Sequence, residues 1–109
     1  MADTATIEWP GQSGNKYLHH IHPIGTPFRS IGGNYIFCKL NVQGRWVPVY
    51  IGQTGNLESR FANHHATPCI NRNGATHVHV HGNDNEQNRL NEESDLLSNF
   101  KTFCNISQN

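Results

Sequence analysis

A hairpin pattern in the middle of the chain constrains the fold more than any other segment. Residues 35–40 alternate strand-forming side chains, residues 41–44 have the composition of a turn, and Trp46 to Ile51 form a second such run. Two β-branched and aromatic runs joined in this way predict a pair of antiparallel strands. Pro48 cannot donate a ladder hydrogen bond, so we expect the second strand at an edge of the sheet.

Alternation also predicts which side chains share a face. One face carries Tyr35, Phe37 and Lys39 on the first strand, and one carries Trp46, Pro48 and Tyr50 on the second. Pairing the strands as a hairpin then puts Tyr35 and Tyr50 on the same side of the sheet.

A short helix is predicted directly after the hairpin, with Asn56 or Thr54 as its N-cap. One face of this helix over residues 57–64 carries Leu57, Arg60, Phe61 and His64. Arg60 and His64 are therefore expected one helical turn apart. Residues 65–75 are rich in turn formers and predict a loop.

A third strand is predicted from Ala75 to His81, half-buried through Val78 and Val80. The opposite face carries His77, His79 and His81. Three interpretations remain open for these histidines. They form a solvated face, they share a transition metal, or they contact nucleic acid together with His19, His20 and His22.

The last predicted helix runs from Glu86 to Phe100 and has an apolar stripe of Leu90, Leu96, Leu97 and Phe100. Glu93 lies on this stripe. A carboxylate in an apolar setting costs several kcal/mol unless it is paired or bound to a cation. We therefore expect a positively charged partner facing Glu93.

These elements predict an α+β fold with three core antiparallel strands flanked by helices. Residues 1–32 form an arm that adds one or two strands or covers the sheet, and residues 33–109 form the rest of a single compact domain. The chain has 109 residues and is 35% hydrophobic, which favours one thin core layer.

Charge and cysteine content limit the setting. The formal net charge is zero, which argues against a broad basic nucleic-acid face. Cys38, Cys69 and Cys104 are an odd number, which excludes complete disulfide pairing and favours a reducing compartment. The chain shows no membrane-spanning segment or signal peptide, so we expect a soluble, cytoplasmic protein.

Taken together, these segments resemble the GIY-YIG nuclease domain. The matching positions, in the family's order and spacing over residues 33–105, are Gly33 and Tyr35, Tyr50 and Gly52, Arg60, His64, Glu93 followed by Leu96 and Leu97, and Asn105. The resemblance implies a GIY-YIG fold and an endonuclease that hydrolyses phosphodiester bonds in DNA. It also implies Mg²⁺ as cofactor, with Mn²⁺ able to substitute.

The resemblance also implies roles for single residues. Glu93 is the metal ligand, Arg60 contacts the phosphate, and Tyr35 is the general base or orients water, assisted by Tyr50 and His64. Gly33, Gly52, Gln53 and Asn105 support the site. Family members often carry Lys where this chain has Gln53, so activation of Tyr35 falls to His64 or to a metal-bound hydroxide.

Other interpretations use the same residues. The tyrosines are also consistent with ordinary strand aromatics, Arg60 and His64 with a solvated helix face, and Glu93 with an ion pair to Arg60. At the level of the protein, the alternatives are a nucleic-acid-binding module that does not cut and a histidine-rich metal-binding protein.

The sequence does not distinguish DNA from RNA as substrate. One site cuts one strand, so a double-strand break requires two copies, and a monomer, a transient homodimer and a targeting partner protein all remain open.

Overall fold

The computed structural model describes residues 5–106, so the first four residues of the arm and residues 107–109 of the predicted domain lie outside the described part. Its strands are β1 (Thr6–Pro10), β2 (Lys16–Pro23), β3 (Gly33–Leu40), β4 (Trp46–Thr54) and β5 (His77–Gly82). They form one five-stranded antiparallel sheet in the order β1-β2-β5-β3-β4. The predicted α+β class is confirmed, β4 lies at an edge as Pro48 requires, and the arm supplies two strands.

The helices are α1 (Leu57–Ala62), α2 (Thr67–Arg72), α3 (Glu86–Asn99) and α4 (Phe103–Ile106). Asn56 caps α1 by accepting a hydrogen bond from the backbone of Ser59, and Asn85 caps α3 in the same way from Asn88. The segment expected to be a loop at 65–75 instead contains α2, with a proline in its first turn.

Both faces of the sheet are buried, so the expectation of one thin core layer is wrong. One side, which we call the tyrosine face, packs Tyr35, Tyr50 and Val78 against Leu57 of α1 and Ile70 of α2. The other side, the tryptophan face, buries Trp9, Ile36, Cys38 and Ile51 against Leu96 of α3. The low hydrophobic fraction still covers two layers because histidines, which that fraction leaves out, are buried on both: His64 on the tyrosine face and His79 on the tryptophan face.

A β-bulge in the β3–β4 hairpin makes part of the predicted assignment of β4 side chains to the two faces wrong. Phe37 pairs with Tyr50, whereas the next residue, Cys38, pairs with Pro48. The extra residue, Val49, reverses the alternation, so Trp46 packs on the tryptophan face while Tyr50 stays on the tyrosine face. Tyr35 and Tyr50 do share a side, as expected.

The arm is fixed to α3 through Asp95. Its carboxylate accepts hydrogen bonds from the Ser13 amide (2.9 Å), the Ser13 hydroxyl (2.6 Å) and the Tyr17 hydroxyl (2.7 Å). These hydrogen bonds lower the pKa of Asp95. A Cβ at Gly11 would overlap this carboxylate, so the turn between β1 and β2 requires glycine there.

The buried face of α3 differs from the predicted stripe. Leu90 is 40% exposed, whereas Arg89, Glu92 and Leu96 are buried. The helix is therefore rotated so that two charged residues face the sheet. The prediction failed because it located the face by apolar residues alone, and here polar side chains with hydrogen-bond partners occupy part of it.

The cysteines pair differently from the expectation. Cys69 of α2 and Cys104 of α4 form a disulfide across 35 positions, and Cys38 is free and buried. An odd count rules out complete pairing but allows one bridge. Because disulfides persist chiefly in oxidising surroundings, the cysteine content does not support a reducing compartment.

No helix within residues 5–106 is long and apolar enough to cross a bilayer.

Candidate functional site

The two tyrosines of the predicted site lie side by side on the tyrosine face. Their rings are stacked, with centroids 6.2 Å apart and an interplanar angle of 21°. Gly52 pairs with Tyr35 across the hairpin. A Cβ at Gly52 would lie 2.6 Å from the Tyr35 hydroxyl oxygen and 2.9 Å from Cε1 of Tyr50. Both rings therefore need glycine at this position to keep their places.

Gly33 also permits a close approach. A Cβ there would lie 2.9 Å from the backbone oxygen of His81 and 3.0 Å from Cδ1 of Leu57. Glycine at this position lets the start of β3 pack directly against β5 and α1. This close packing fixes the position of Tyr35, two residues later.

His64 joins the tyrosines from a different element than expected. Helix α1 ends at Ala62, so His64 lies in the following loop rather than on the helical face of Arg60. Its Nε2 is 2.8 Å from the Tyr35 hydroxyl oxygen, and its Nδ1 accepts a hydrogen bond from the backbone of Ala66 at 3.0 Å. The helix prediction erred because the loop residues hydrogen-bond to the imidazole instead of extending the helix.

These two contacts fix the tautomer of His64. Burial lowers its pKa to about 4, with the charges of His65 and Arg60 adding to the effect, so the ring is neutral at pH 7. Since Nδ1 accepts, the ring proton must be on Nε2. His64 therefore donates to the oxygen of Tyr35 and has no free nitrogen there to take the tyrosine's proton.

The charges around the tyrosines oppose one another. Burial raises the pKa of Tyr35, and Tyr50 adds to the rise, whereas the charge and hydrogen bonding of Arg60 lower it. Burial also raises the pKa of Tyr50, and the charge of Glu93 adds to this, whereas Arg60 and a hydrogen bond with Tyr35 oppose it. Both phenols are thus protonated at neutral pH, with a cation and an anion within electrostatic reach.

Arg60 of α1 and Glu93 of α3 supply those charges, and both side chains are half-buried. Burial raises the pKa of Glu93, and the charge of Arg60 lowers it. The ion pairs within residues 5–106 that fall inside 4.0 Å all involve Glu92 and a histidine, so Arg60 and Glu93 do not form a salt bridge. The carboxylate of Glu93 therefore remains able to bind another cation.

Asn105 holds the edge strand beside these residues. Its side-chain oxygen accepts from the Ile51 amide at 2.7 Å, and its side-chain nitrogen donates to the Ile51 carbonyl at 2.9 Å. The Thr102 hydroxyl also donates to that oxygen. This pair of bonds imitates a neighbouring strand and fixes the backbone between Tyr50 and Gly52.

Gln53 leads to a residue that the sequence interpretation missed. Its side-chain oxygen accepts a hydrogen bond from Nε of Arg89 at 3.1 Å. Arg89 thus places a positive charge beside position 53. The available signal was its spacing, since Arg89 precedes Glu93 by four residues and so lies one turn away on the same side of α3.

Of the three histidines on the predicted face of β5, the central one, His79, is buried, whereas His77 and His81 are half-buried. His79 is 0% exposed, accepts a hydrogen bond from the Trp9 indole at 2.9 Å, and has a pKa lowered to about 4 by burial, with neighbouring histidines adding to the effect. His77 packs edge-on against Trp46, with ring centroids 4.9 Å apart. His79 therefore does not face a nucleic acid.

His81 and His19 meet Glu92 on that same face. Glu92 is 3% exposed, and its oxygens lie 2.8 Å from Nδ1 of His81 and 3.6 Å from Nε2 of His19. The hydrogen bond that His81 makes to the carboxylate of Glu92 raises the pKa of His81. His20 and His22 pair with Val80 and Val78, so they lie on the tyrosine face, and alternation divides the predicted histidine surface in two.

Within the described part of the chain, no three or more His, Cys, Asp or Glu side chains are grouped to hold a metal ion. A single carboxylate such as Glu93 is enough to bind Mg²⁺, because this ion is often held by one or two carboxylates together with waters and phosphate oxygens of the substrate. The half-buried carboxylate without a salt bridge fits that role.

Compared with protein-family models, curated protein sequences and solved structures, the chain gives no significant match.

Proposed function

We propose that the chain is a metal-dependent endonuclease of the GIY-YIG type that hydrolyses phosphodiester bonds in DNA. One observation carries the proposal. Five residues from five different segments interact around the phenols of Tyr35 and Tyr50: the two tyrosines themselves, Arg60, His64 and Glu93. They provide a cation, a carboxylate without a salt bridge and two phenols, which together suit phosphodiester hydrolysis.

Arg60 would contact the scissile phosphate. A guanidinium presents two parallel donors to phosphate oxygens, and its charge stabilises the negative charge that builds during attack. Its half-buried position makes that interaction stronger than it would be at an open surface.

Tyr35 would meet the attacking water. His64 and Arg60 both favour the phenolate form of Tyr35, because each places a donor or a positive charge at its oxygen. Burial and Tyr50 oppose that form. Tyr35 therefore keeps its proton in the free protein. A further positive charge in the site would lower the pKa of Tyr35 and so favour loss of this proton.

Glu93 would hold Mg²⁺ or Mn²⁺. Bound there with phosphate oxygens and waters, the ion would neutralise phosphate charge and lower the pKa of nearby water and phenol groups. Gly52 and Asn105 would have indirect roles: Gly52 leaves room for the tyrosines, and Asn105 holds β4 in place.

A single site of this kind cuts one strand, so we propose nicking by the monomer and double-strand cleavage only by a transient dimer. The chemistry of the site accepts RNA as well as DNA. The cytoplasmic location and a targeting partner remain predictions.

The test is conversion of supercoiled plasmid to nicked or linear DNA in Mg²⁺, Mn²⁺ or EDTA. We expect metal-dependent cutting that is lost in Glu93→Ala and Arg60→Ala. Glu86→Ala is the matched control, because Glu86 is an exposed carboxylate on the same helix. No cutting with any metal, while the wild type still retards DNA on a gel, would instead support the binding module. Equal cutting by wild type and Glu93→Ala would refute the proposed site.

A further inference from the structure

Arg89 is a buried cation without an acidic partner. It is 6% exposed and lies on α3 against the ends of β3 and β4. Its guanidinium donates to two neutral acceptors, the side-chain oxygen of Gln53 at 3.1 Å and the backbone oxygen of Asn83 at 3.0 Å. Within residues 5–106, the ion pairs inside 4.0 Å involve Glu92 and histidines, so no carboxylate lies within 4.0 Å of Arg89.

Such an arrangement is costly in the free protein. A buried charge is normally paired, because hydrogen bonds to neutral groups replace only part of its lost hydration. Arginine stays charged at any ordinary pH, so Arg89 cannot avoid the cost by losing its proton. A binding partner with negative charge would offset it.

The guanidinium also keeps a donor group free. Nη2 of Arg89 has no hydrogen-bond partner among the described residues. It is also not fully buried. It is therefore reachable from solvent. Gly55, an exposed glycine, borders this group: a Cβ at Gly55 would lie 3.5 Å from Nη2, in ordinary van der Waals contact with it.

Gln53 presents a second donor at the same place. Because its oxygen accepts from Arg89, its side-chain NH₂ group points away from the guanidinium and has no partner among the described residues. A positive charge with two donors and no free acceptor selects for an oxyanion, and the forked guanidinium favours phosphate.

The position of this niche links it to the proposed active site. Gln53 directly follows Gly52, and Arg89 is four residues from Glu93, a rise of about 6 Å along α3. Arg89 and Gln53 therefore lie next to residues of the proposed active site.

We propose that Arg89, oriented by Gln53, binds a phosphate beside the proposed active site. That this phosphate belongs to a nucleic acid rests on the proposed function; the oxyanion site itself does not. The site supplies a local positive centre that the zero net charge of the chain conceals. It also compensates for the missing lysine at position 53.

The first test uses inorganic pyrophosphate as a probe and needs no nuclease activity. Titrations followed by NMR of the arginine side chains and by thermal melting would compare the wild type with Arg89→Met, Arg89→Lys and Gln53→Glu. We expect Arg89→Met to weaken pyrophosphate binding by about tenfold or more, the factor that one charge-assisted hydrogen bond supplies. Arg72→Met is the control, because Arg72 is an exposed arginine away from the niche.

Gln53→Glu keeps the test decisive even if Arg89→Met fails to fold. A carboxylate at position 53 would pair with Arg89, so this variant should melt at a higher temperature than wild type and yet lose pyrophosphate binding. A purely structural Arg89 predicts the higher melting temperature with pyrophosphate binding unchanged. That second result would overturn the proposal.

The second test measures DNA affinity against salt in a Glu93→Ala background, which should bind without cutting. Adding Arg89→Met should reduce the slope of log affinity against log salt by about 1, the effect of losing one phosphate contact. Pyrophosphate binding that depends on Arg89, with no DNA binding, would keep the anion site and reject the nuclease. DNA binding with an unchanged slope would reject Arg89 as a phosphate ligand and leave the nuclease standing.

Discussion

His64 donates a hydrogen bond to the hydroxyl oxygen of Tyr35, 2.8 Å away, and its other ring nitrogen is occupied by the backbone of Ala66. The sequence left two groups that could take the proton of Tyr35, His64 and a metal-bound hydroxide. This geometry excludes His64 as the direct proton acceptor. The histidine acts instead on the phenol oxygen, where a donor stabilises developing negative charge.

The Tyr35–His64 contact predicts a stability cost for Tyr35→Phe. This change leaves the buried Nε2–H of His64 without an acceptor, and we expect the free energy of unfolding to fall by about 1–3 kcal/mol. Tyr50→Phe is the control, because the Tyr50 hydroxyl does not accept from His64, and it should cost less. Urea unfolding checks both, and equal losses would contradict the assignment of the donor.

Gly52→Ala should damage the site by steric overlap. The new methyl group would lie 2.6 Å from the Tyr35 oxygen, so the tyrosine must move. We expect a loss of about 1–3 kcal/mol in stability and a loss of plasmid cutting. At Gly82, the nearest heavy atom to an added Cβ is 3.8 Å away, so Gly82→Ala is the matched control. If both variants behave alike, Gly52 has no special role.

Glu93→Gln should remove cutting without destabilising the protein at pH 7. Burial raises the pKa of Glu93, which means that its charge opposes folding at neutral pH. The variant should therefore be as stable as the wild type or more so, and any difference should shrink as the pH falls and Glu93 becomes protonated. Unfolding curves at pH 7 and pH 4 measure this, with Glu86→Gln as the exposed control. A strongly destabilised Glu93→Gln would identify a structural carboxylate.

Asn105→Asp tests the support of the edge strand. A carboxylate can still accept from the Ile51 amide, but it cannot donate to the Ile51 carbonyl. We expect a loss of about 1–3 kcal/mol in stability and a larger loss of cutting than stability alone explains. Exchange of the Ile51 amide with solvent should accelerate, and unchanged protection there would show that Asn105 does not hold the strand.

Stability should fall steeply in mild acid. Burial lowers the pKa of His19, His64 and His79 to about 4 in the folded protein, against 6.5 for an unperturbed histidine. The unfolded chain therefore binds more protons between these values, and stability is fully present above pH 6.5 and lost as the pH falls toward 4. Proton uptake on unfolding at pH 5 should approach three from these residues. A flat profile between pH 7 and pH 5 would contradict their burial as neutral rings.

Much of the fold was accessible from local pattern. The hairpin, the cap at the start of α1 and the edge position of β4 follow from side-chain alternation, capping chemistry and proline's missing donor. These signals act over a few residues, so the sequence carries them directly. The side shared by Tyr35 and Tyr50 was also predicted, although the assignment of Trp46 to it was wrong, because one inserted residue in β4 reverses alternation.

The missed features all depend on distant partners. Arg89 faces the sheet because it donates hydrogen bonds to Gln53 and Asn83. Glu92 faces it because its carboxylate is hydrogen-bonded to His81. The periodicity of α3 does not reveal either contact. His79 is buried because Trp9, 70 positions earlier, covers it. The charged niche beside the candidate site was therefore invisible to a search for apolar stripes.

The position of β5 in the sheet dictates the order in which the chain can fold. The hairpins β1–β2 and β3–β4 are local and can close within microseconds, but they are never hydrogen-bonded to each other. Only β5, synthesised after both, joins them by pairing with β2 on one side and β3 on the other. Until residues 77–82 arrive, a nascent chain carries two open inner edges, so we expect joining of the hairpins to limit the folding rate and to be the step most exposed to aggregation.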